Sequence, residues 1–186
     1  MKERILDIGV GQGGTYLTGI TPDSGYCGVD VNRGDLAILK SRTPSIETIQ
    51  ASGESLPFQN AAFNKIVILF PSGDLLAPGL QSHIPYPPES NRKPIEAKGK
   101  SWYEEFARIL KPQGKLLLYG DWILLADEII LQELHKPFFV SINKQELTDS
   151  DLIALGTRAS CQVSQRRAND LETHAYRFTF QKCKIG

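Results

Sequence analysis

Residues 4–14, RILDIGVGQGG, constrain this chain more than any other stretch. An apolar run of Ile5, Leu6 and Ile8 gives way to Gly9, Gly11, Gly13 and Gly14, with the carboxylate Asp7 two positions before the first glycine. A buried strand that ends in a tight turn has this pattern. Glycine tolerates positive φ and admits a ligand close to the backbone, and the N–H groups beyond such a turn offer partial positive charge to an anion. Taken alone, the turn is also compatible with a strand-to-helix connection that binds nothing.

The remaining composition narrows the setting. A chain of 186 residues, 41% hydrophobic and 23% charged, fits a single well-cored domain over residues 1–186. Lysine plus arginine equals aspartate plus glutamate at 21 each, so no net field draws the protein to nucleic acid or to an anionic membrane; only a local basic patch could. Cys27, Cys161 and Cys183 are odd in number, widely spaced and without a CxxC pair. That argues against a disulfide framework and against a zinc site, so no metal is expected and a reducing cytoplasm fits. Met1 stands three residues before the first strand, which leaves no room for a signal peptide, and no apolar run approaches the roughly 20 residues of a membrane span. A soluble, cytoplasmic protein is the expectation.

Along the chain, residues 13–20 form at most a short helix, and Tyr26 to Asn32 read as a strand with Asp30 at its carboxyl end. Residues 35–42 read as a helix stopped by Pro44, 46–51 as a strand, and 64–70 as a strand buried on both faces. Strands alternating with helices predict right-handed crossovers and a parallel sheet covered on both sides. Six of the eleven prolines (Pro71, Pro78, Pro85, Pro87, Pro88 and Pro94) then crowd into residues 71–100. A long loop directly after the fourth strand lies where ligands of open α/β sheets bind. Ser101 and Glu104 have the spacing of a capping box, with Trp102, Phe106, Ile109 and Leu110 on one helical face. Pro112 and Gly114 end that helix before a strand at 115–120. Asp121 is placed to cap a helix reaching about His135, and a further helix is expected over 145–155 with Gly156 closing it. Residues 160–167 and 175–182 alternate like two half-exposed strands, an antiparallel pair at the sheet edge.

Four segments carry a resemblance. ILDIGVGQG, Asp30 at the end of the second strand, ASGESLPFQNAAFNKIVI (51–68) and FARILKPQGKLLLYG (106–120) occur in that order over about residues 4–120. They resemble the motifs of class I S-adenosylmethionine-dependent methyltransferases, of the type 11-like kind. The resemblance implies an α/β fold: a three-layer Rossmann-like sandwich whose mostly parallel seven-stranded sheet ends in an antiparallel C-terminal hairpin. It implies S-adenosyl-L-methionine as cofactor and methyl transfer to an unidentified acceptor. The cofactor positions it carries over are Asp7, Gly9, Gly11, Gly13, Asp30, Val31, Ser52, Gly53, Glu54 and Phe70. In this assignment Asp7 answers the cofactor ammonium, the glycine turn its carboxylate, Asp30 both ribose hydroxyls, and residues 52–54 the adenine. Leu56 and Phe58 are expected in the core. No catalytic residue is obligatory; Asp74, just beyond the fourth strand, is the candidate, whereas His83 and His135 read as surface residues. The chain departs from the pattern in Ser52 and Asn64, both commonly aspartate in the family, and in having no helices ahead of the first strand.

Alternatives remain at this stage. FPSGDLLAP (70–78), Arg92, Lys93, Lys98 and Lys100, and GDW (120–122) have a distant similarity to tRNA guanine-7 methyltransferases. Gly9, Gly11 and Gly14 also satisfy G-x-G-x-x-G, as in nicotinamide-dependent oxidoreductases. A non-catalytic scaffold or regulator that keeps the fold is the third reading. Oligomeric state and acceptor are not readable from the chain.

Overall fold

The computed structural model describes residues 3–13, 25–69, 100–121, 138–155 and 175–183. In chain order they form β1 (Arg4–Ile8), β2 (Gly25–Asp30), α1 (Arg33–Arg42), β3 (Glu47–Gln50), β4 (Phe63–Leu69), α2 (100–109), β5 (Leu110–Asp121), β6 (Phe139–Glu146), α3 (Asp149–Leu155) and β7 (Ala175–Lys182). The strands make one seven-stranded sheet in the order β3-β2-β1-β4-β5-β7-β6. β1, β2, β3, β4 and β5 pair in parallel, and β7 runs antiparallel between β5 and β6. This is the mostly parallel α/β sheet expected from the sequence, with an antiparallel pair at its C-terminal edge.

Alternation along each strand sorts the apolar side chains onto two faces. On one face Leu6, Cys27, Ile66, Leu116 and Phe178 pack with Tyr103 and Phe106 of α2. On the other, Ile5, Tyr26, Val67 and Tyr119 pack with Leu36 and Leu39 of α1 and Leu152 of α3. Helices therefore lie on both sides, which is why β1 (Ile5, Leu6, Ile8) and β4 (Ile66, Val67, Ile68) bury apolar side chains on both faces. α1 starts where Asn32 accepts from the N–H groups of Gly34 (2.9 Å) and Asp35 (3.3 Å), and Lys40 and Arg42 lie in its last turn, opposite the dipole's negative end. At the opposite end of the sheet, Asn64 Oδ1 accepts from the Arg4 N–H and the Lys111 ammonium, each at 3.0 Å. The residue that departs from the family pattern there ties β1, β4 and β5 together.

Three local expectations change. α2 already contains residue 100, so Ser101 lies inside the helix rather than capping it. Gln145 and Glu146 belong to β6, not to a helix; α3 begins only at Asp149, where Thr148 and Asp151 exchange hydrogen bonds as a capping box (Thr148 N–H to Asp151 Oδ2, 2.8 Å; Asp151 N–H to Thr148 Oγ1, 3.2 Å). β6 itself went unread, because FVSINKQE is polar over its second half. Both edges of β7 are taken, by β5 and β6. The segment 160–167, the expected partner of 175–182, lies outside the described residues, as do all but Gly13 of the expected helix at 13–20 and the expected helix at 122–135. Among the described residues no helix is long and apolar enough to cross a membrane.

Between Phe63↔Leu110 and Lys65↔Lys115 the β4–β5 register jumps, and residues 111–114 bulge out with Gln113 at φ 63°. A Cβ on Gly114 would stand 2.9 Å from the Lys111 carbonyl oxygen, whereas one on Gly25 would be tight only against the flexible Arg4 Cγ at 3.1 Å, with the Glu3 carbonyl oxygen at an ordinary 3.6 Å. Gly114→Ala is expected to destabilise the fold by about 1–3 kcal/mol in urea unfolding. Gly25→Ala is expected to stay within about 0.5 kcal/mol of wild type. Equal effects would contradict this account of the bulge.

Candidate functional site

The glycine turn after β1 folds over the end of β2. Gly9 and Val10 both donate to the Val29 carbonyl (2.8 and 3.1 Å), and Gly13 donates to Val10 (3.1 Å). Gly9, Gly11 and Gly13 sit at φ 73°, 55° and 94°, conformations that a side chain would strain, so this turn needs its glycines. Val10 is buried on Gly28, where a Cβ would come within 3.0 Å of Val10 Cγ1. The turn is thus bolted to β2 by packing as well as by hydrogen bonds.

Asp30 closes the arrangement. Its Oδ2 accepts from the Gly11 N–H at 2.8 Å and its Oδ1 from the Asn32 N–H at 2.9 Å, while its carbonyl accepts from Ala51 at 3.2 Å. One carboxylate therefore joins the glycine turn to the start of α1, and its main chain joins β2 to the end of β3. Next to it Val31 is 67% exposed, and its carbonyl accepts from Gln50 Nε2 at 3.0 Å. Gln12 reaches from the turn to Asp35 Oδ1 at 3.0 Å. Asp7, by contrast, is buried and accepts from the Tyr26 hydroxyl, a partner that the sequence did not suggest.

Residues 52–61 are shaped by α2. Ser55 donates to the Ser52 carbonyl at 3.1 Å, making a tight turn in which Gly53 is buried against the Trp102 ring. Further on, Arg108 donates to the carbonyls of Phe58 (2.7 Å) and Leu56 (3.0 Å) and to Asn60 Oδ1 (2.9 Å). Glu105 receives two bonds from the same guanidinium at 2.6 Å and one from the Leu56 N–H at 2.8 Å. The planar guanidinium suits this role because it can serve a carboxylate and two carbonyls at once.

The structure thus brings Gly9, Gly11, Gly13, Asp30 and Val31 to the carboxyl end of β1 and β2, with Ser52, Gly53 and Glu54 just past β3. Phe70, Asp74, His83, His135 and most of the basic and tryptophan-bearing segments compared with tRNA enzymes (70–99 and Trp122) lie outside the described residues; Lys100 is the exposed first residue of α2. Leu56 is buried and Phe58 half-buried, as expected. Sequence reasoning missed Tyr26, Trp102, Glu105 and Arg108. The i,i+3 spacing of Glu105 and Arg108 is the one local signal that could have marked their ion pair, and nothing local points to the loop 49 positions earlier.

Arg108 and the Leu56 N–H hold the Glu105 carboxyl below its ordinary value near 4.5, the hydrogen bond from Arg108 contributing most. A carboxylate with a depressed pKa adds stability that is complete above the unfolded value and is lost as pH falls through the folded one. The gap in urea midpoint between wild type and Glu105→Gln is therefore expected to be widest at neutral pH and to close below about pH 4.5. A gap independent of pH would contradict the clamp.

No family model matches the chain. Among curated proteins, the phthiotriol/phenolphthiotriol dimycocerosates methyltransferase of Mycobacterium leprae is 24% identical over 176 residues, 92% of this chain and 56% of that protein. Phthiotriol/phenolphthiotriol dimycocerosates methyltransferase 1 of Mycobacterium ulcerans is 29% identical over 69 residues, 35% of this chain and 26% of that protein. The chain thus spans little more than half of the first relative's length. Among solved structures, a SAM-dependent methyltransferase from Methanosarcina mazei superposes with a TM-score of 0.62 at 16% identity, covering 97% of this chain and 92% of that one. Geranyl diphosphate C-methyltransferase from Streptomyces coelicolor A3(2), in complex with Mg2+, geranyl diphosphate and S-adenosyl-L-homocysteine, superposes at 0.61 with 11% identity, covering 98% and 74%. The fold is that of the class I S-adenosylmethionine-dependent methyltransferases, and the curated relatives are methyltransferases.

Proposed function

We propose that the chain binds S-adenosyl-L-methionine at the carboxyl end of β1, β2 and β3 and transfers its methyl group to an acceptor. The observation that carries this reading is the Asp30 carboxylate, held by Gly11 and Asn32 beside the exposed Val31. Each carboxylate oxygen has two acceptor positions. With the Gly11 and Asn32 bonds in place, both oxygens retain capacity for a further donor, which suits the two hydroxyls of a ribose. Val31 offers an apolar surface for a purine, and the glycine turn admits the methionyl end close to the backbone. Residues 52–54 and Phe70 complete the proposed set. Asp7 accepts from the Tyr26 hydroxyl and stands two residues before the glycine turn, where it is the carboxylate proposed to answer the ammonium.

The sulfonium supplies an electrophilic methyl group when the cofactor is bound. The chain's own task is then to hold the acceptor in line and keep water out, and positioning supplies much of such a rate. A base is required only for an acceptor that is protonated near neutral pH, a role for which Asp74 is the candidate. We place the enzyme in the cytoplasm, the setting that three widely spaced cysteines without a CxxC pair fit; Cys27 is a buried free thiol, pushed up to about 12 by burial, and packs rather than reacts.

Calorimetric titration with S-adenosylhomocysteine is expected to give micromolar binding, with NADH giving none. Asp30→Ala is expected to weaken that binding at least about tenfold, since hydrogen bonds to a charged group contribute roughly 1.5–3 kcal/mol each. Asp30→Asn, which keeps one acceptor oxygen, is expected to fall between. Folding is checked by circular dichroism; an unchanged affinity in a folded Asp30→Ala protein would remove the ribose role.

A further inference from the structure

The carboxylate of Asp30 is one member of a closed circuit of hydrogen bonds. Its Oδ2 accepts from the Gly11 N–H at 2.8 Å and its Oδ1 from the Asn32 N–H at 2.9 Å. Asn32 Oδ1 in turn accepts from the N–H of Asp35 at 3.3 Å. Asp35 Oδ1 accepts from Gln12 Nε2 at 3.0 Å, and Gln12 is the residue after Gly11. The circuit thus runs from the glycine turn through Asp30 to the start of α1, and returns to the turn through one glutamine side chain.

The hydroxyls of a bound ribose would draw on the same two oxygens that hold Gly11 and Asn32. The return link uses neither of them, so it keeps the turn and the start of α1 at their spacing while the carboxylate takes new donors. It adds little to the fold itself. Gln12 is exposed and Asp35 half-buried, Leu36 and Leu39 fix α1 to the core independently, and substitution of an exposed side chain generally has little effect on stability. We infer that Gln12 and Asp35 are positioning residues of the proposed cofactor site, acting through Gly11 and Asn32 to hold the Asp30 carboxylate in the orientation that receives the ribose hydroxyls. The inference rests on the cofactor reading above. Such preorganisation strengthens binding by lowering what must be ordered when the ligand arrives.

Calorimetry with S-adenosylhomocysteine and its 2′-deoxyribose analogue separates this role from a general one. Wild type is expected to prefer the ribose ligand about tenfold or more, as for a hydrogen bond to a charged group. Gln12→Ala is expected to cut that preference about threefold to tenfold, the range of one ordinary hydrogen bond, with the unfolding midpoint close to wild type. Gln12→Glu sets two carboxylates against each other and is expected to cut it at least as far. Combining Gln12→Glu with Asp35→Gln restores a donor and an acceptor in the reverse sense and is expected to recover most of the preference. An unchanged preference in Gln12→Ala, an equal loss for both ligands, or a double variant no better than Gln12→Glu alone would overturn the inference and leave the cofactor reading standing. If wild type binds neither ligand, or binds both equally, the ribose reading and the inference fall together.

Discussion

The Asp30 carboxylate is the point on which this end of the molecule depends. One oxygen takes the N–H of Gly11 and the other the N–H of Asn32, so a single side chain fixes the glycine turn relative to the residue that caps α1. Hydrogen bonds to a charged acceptor are the stronger kind. The positive φ angles of Gly9, Gly11 and Gly13 bring the Gly11 N–H within reach. Around that knot, Val10 packs into the space that Gly28 leaves, and Val29 receives both Gly9 and Val10. The turn is therefore preorganised, and a ligand would not have to order it.

A second, independent support comes from α2. Its Trp102 presses on Gly53, and its Glu105 and Arg108 hold the backbone from Leu56 to Phe58. The loop after β3 thus takes its shape from a helix that follows it by about fifty positions in sequence. β1 and β2 build the ribose side of the proposed site, and α2 builds the side proposed for the base. Tyr26 adds a third tie, from β2 to Asp7 in β1, within the core that faces α1.

What was legible in the sequence is what is set locally. The apolar runs of β1 and β4, the glycine turn and the acidic end of β2 each carry their own signal, because strand burial, positive φ and position at a strand end depend on near neighbours. What was not legible depends on distant ones. FVSINKQE is a strand because β7 offers it a ladder at the sheet's edge, where Asn143, Lys144, Gln145 and Glu146 can stay exposed. Residues 160–167 carry the alternation that made them the expected partner of 175–182, whereas FVSINKQE turns polar over its second half and is paired with β7 in space. Asp7 had a ligand role to suggest but no sign of Tyr26, and Trp102 read as an ordinary member of a helical apolar stripe. Its contact with Gly53 exists only in the folded chain.

The central claim is that Asp30 holds the ribose of an adenosyl cofactor above a turn already in place. A crystal structure of the chain soaked with S-adenosylhomocysteine tests it most directly. The account predicts both ribose hydroxyls within hydrogen-bond distance of the Asp30 carboxylate, with the Gly11 and Asn32 bonds retained. Ligand bound elsewhere, or an Asp30 carboxylate that makes no contact with the ribose, would contradict it.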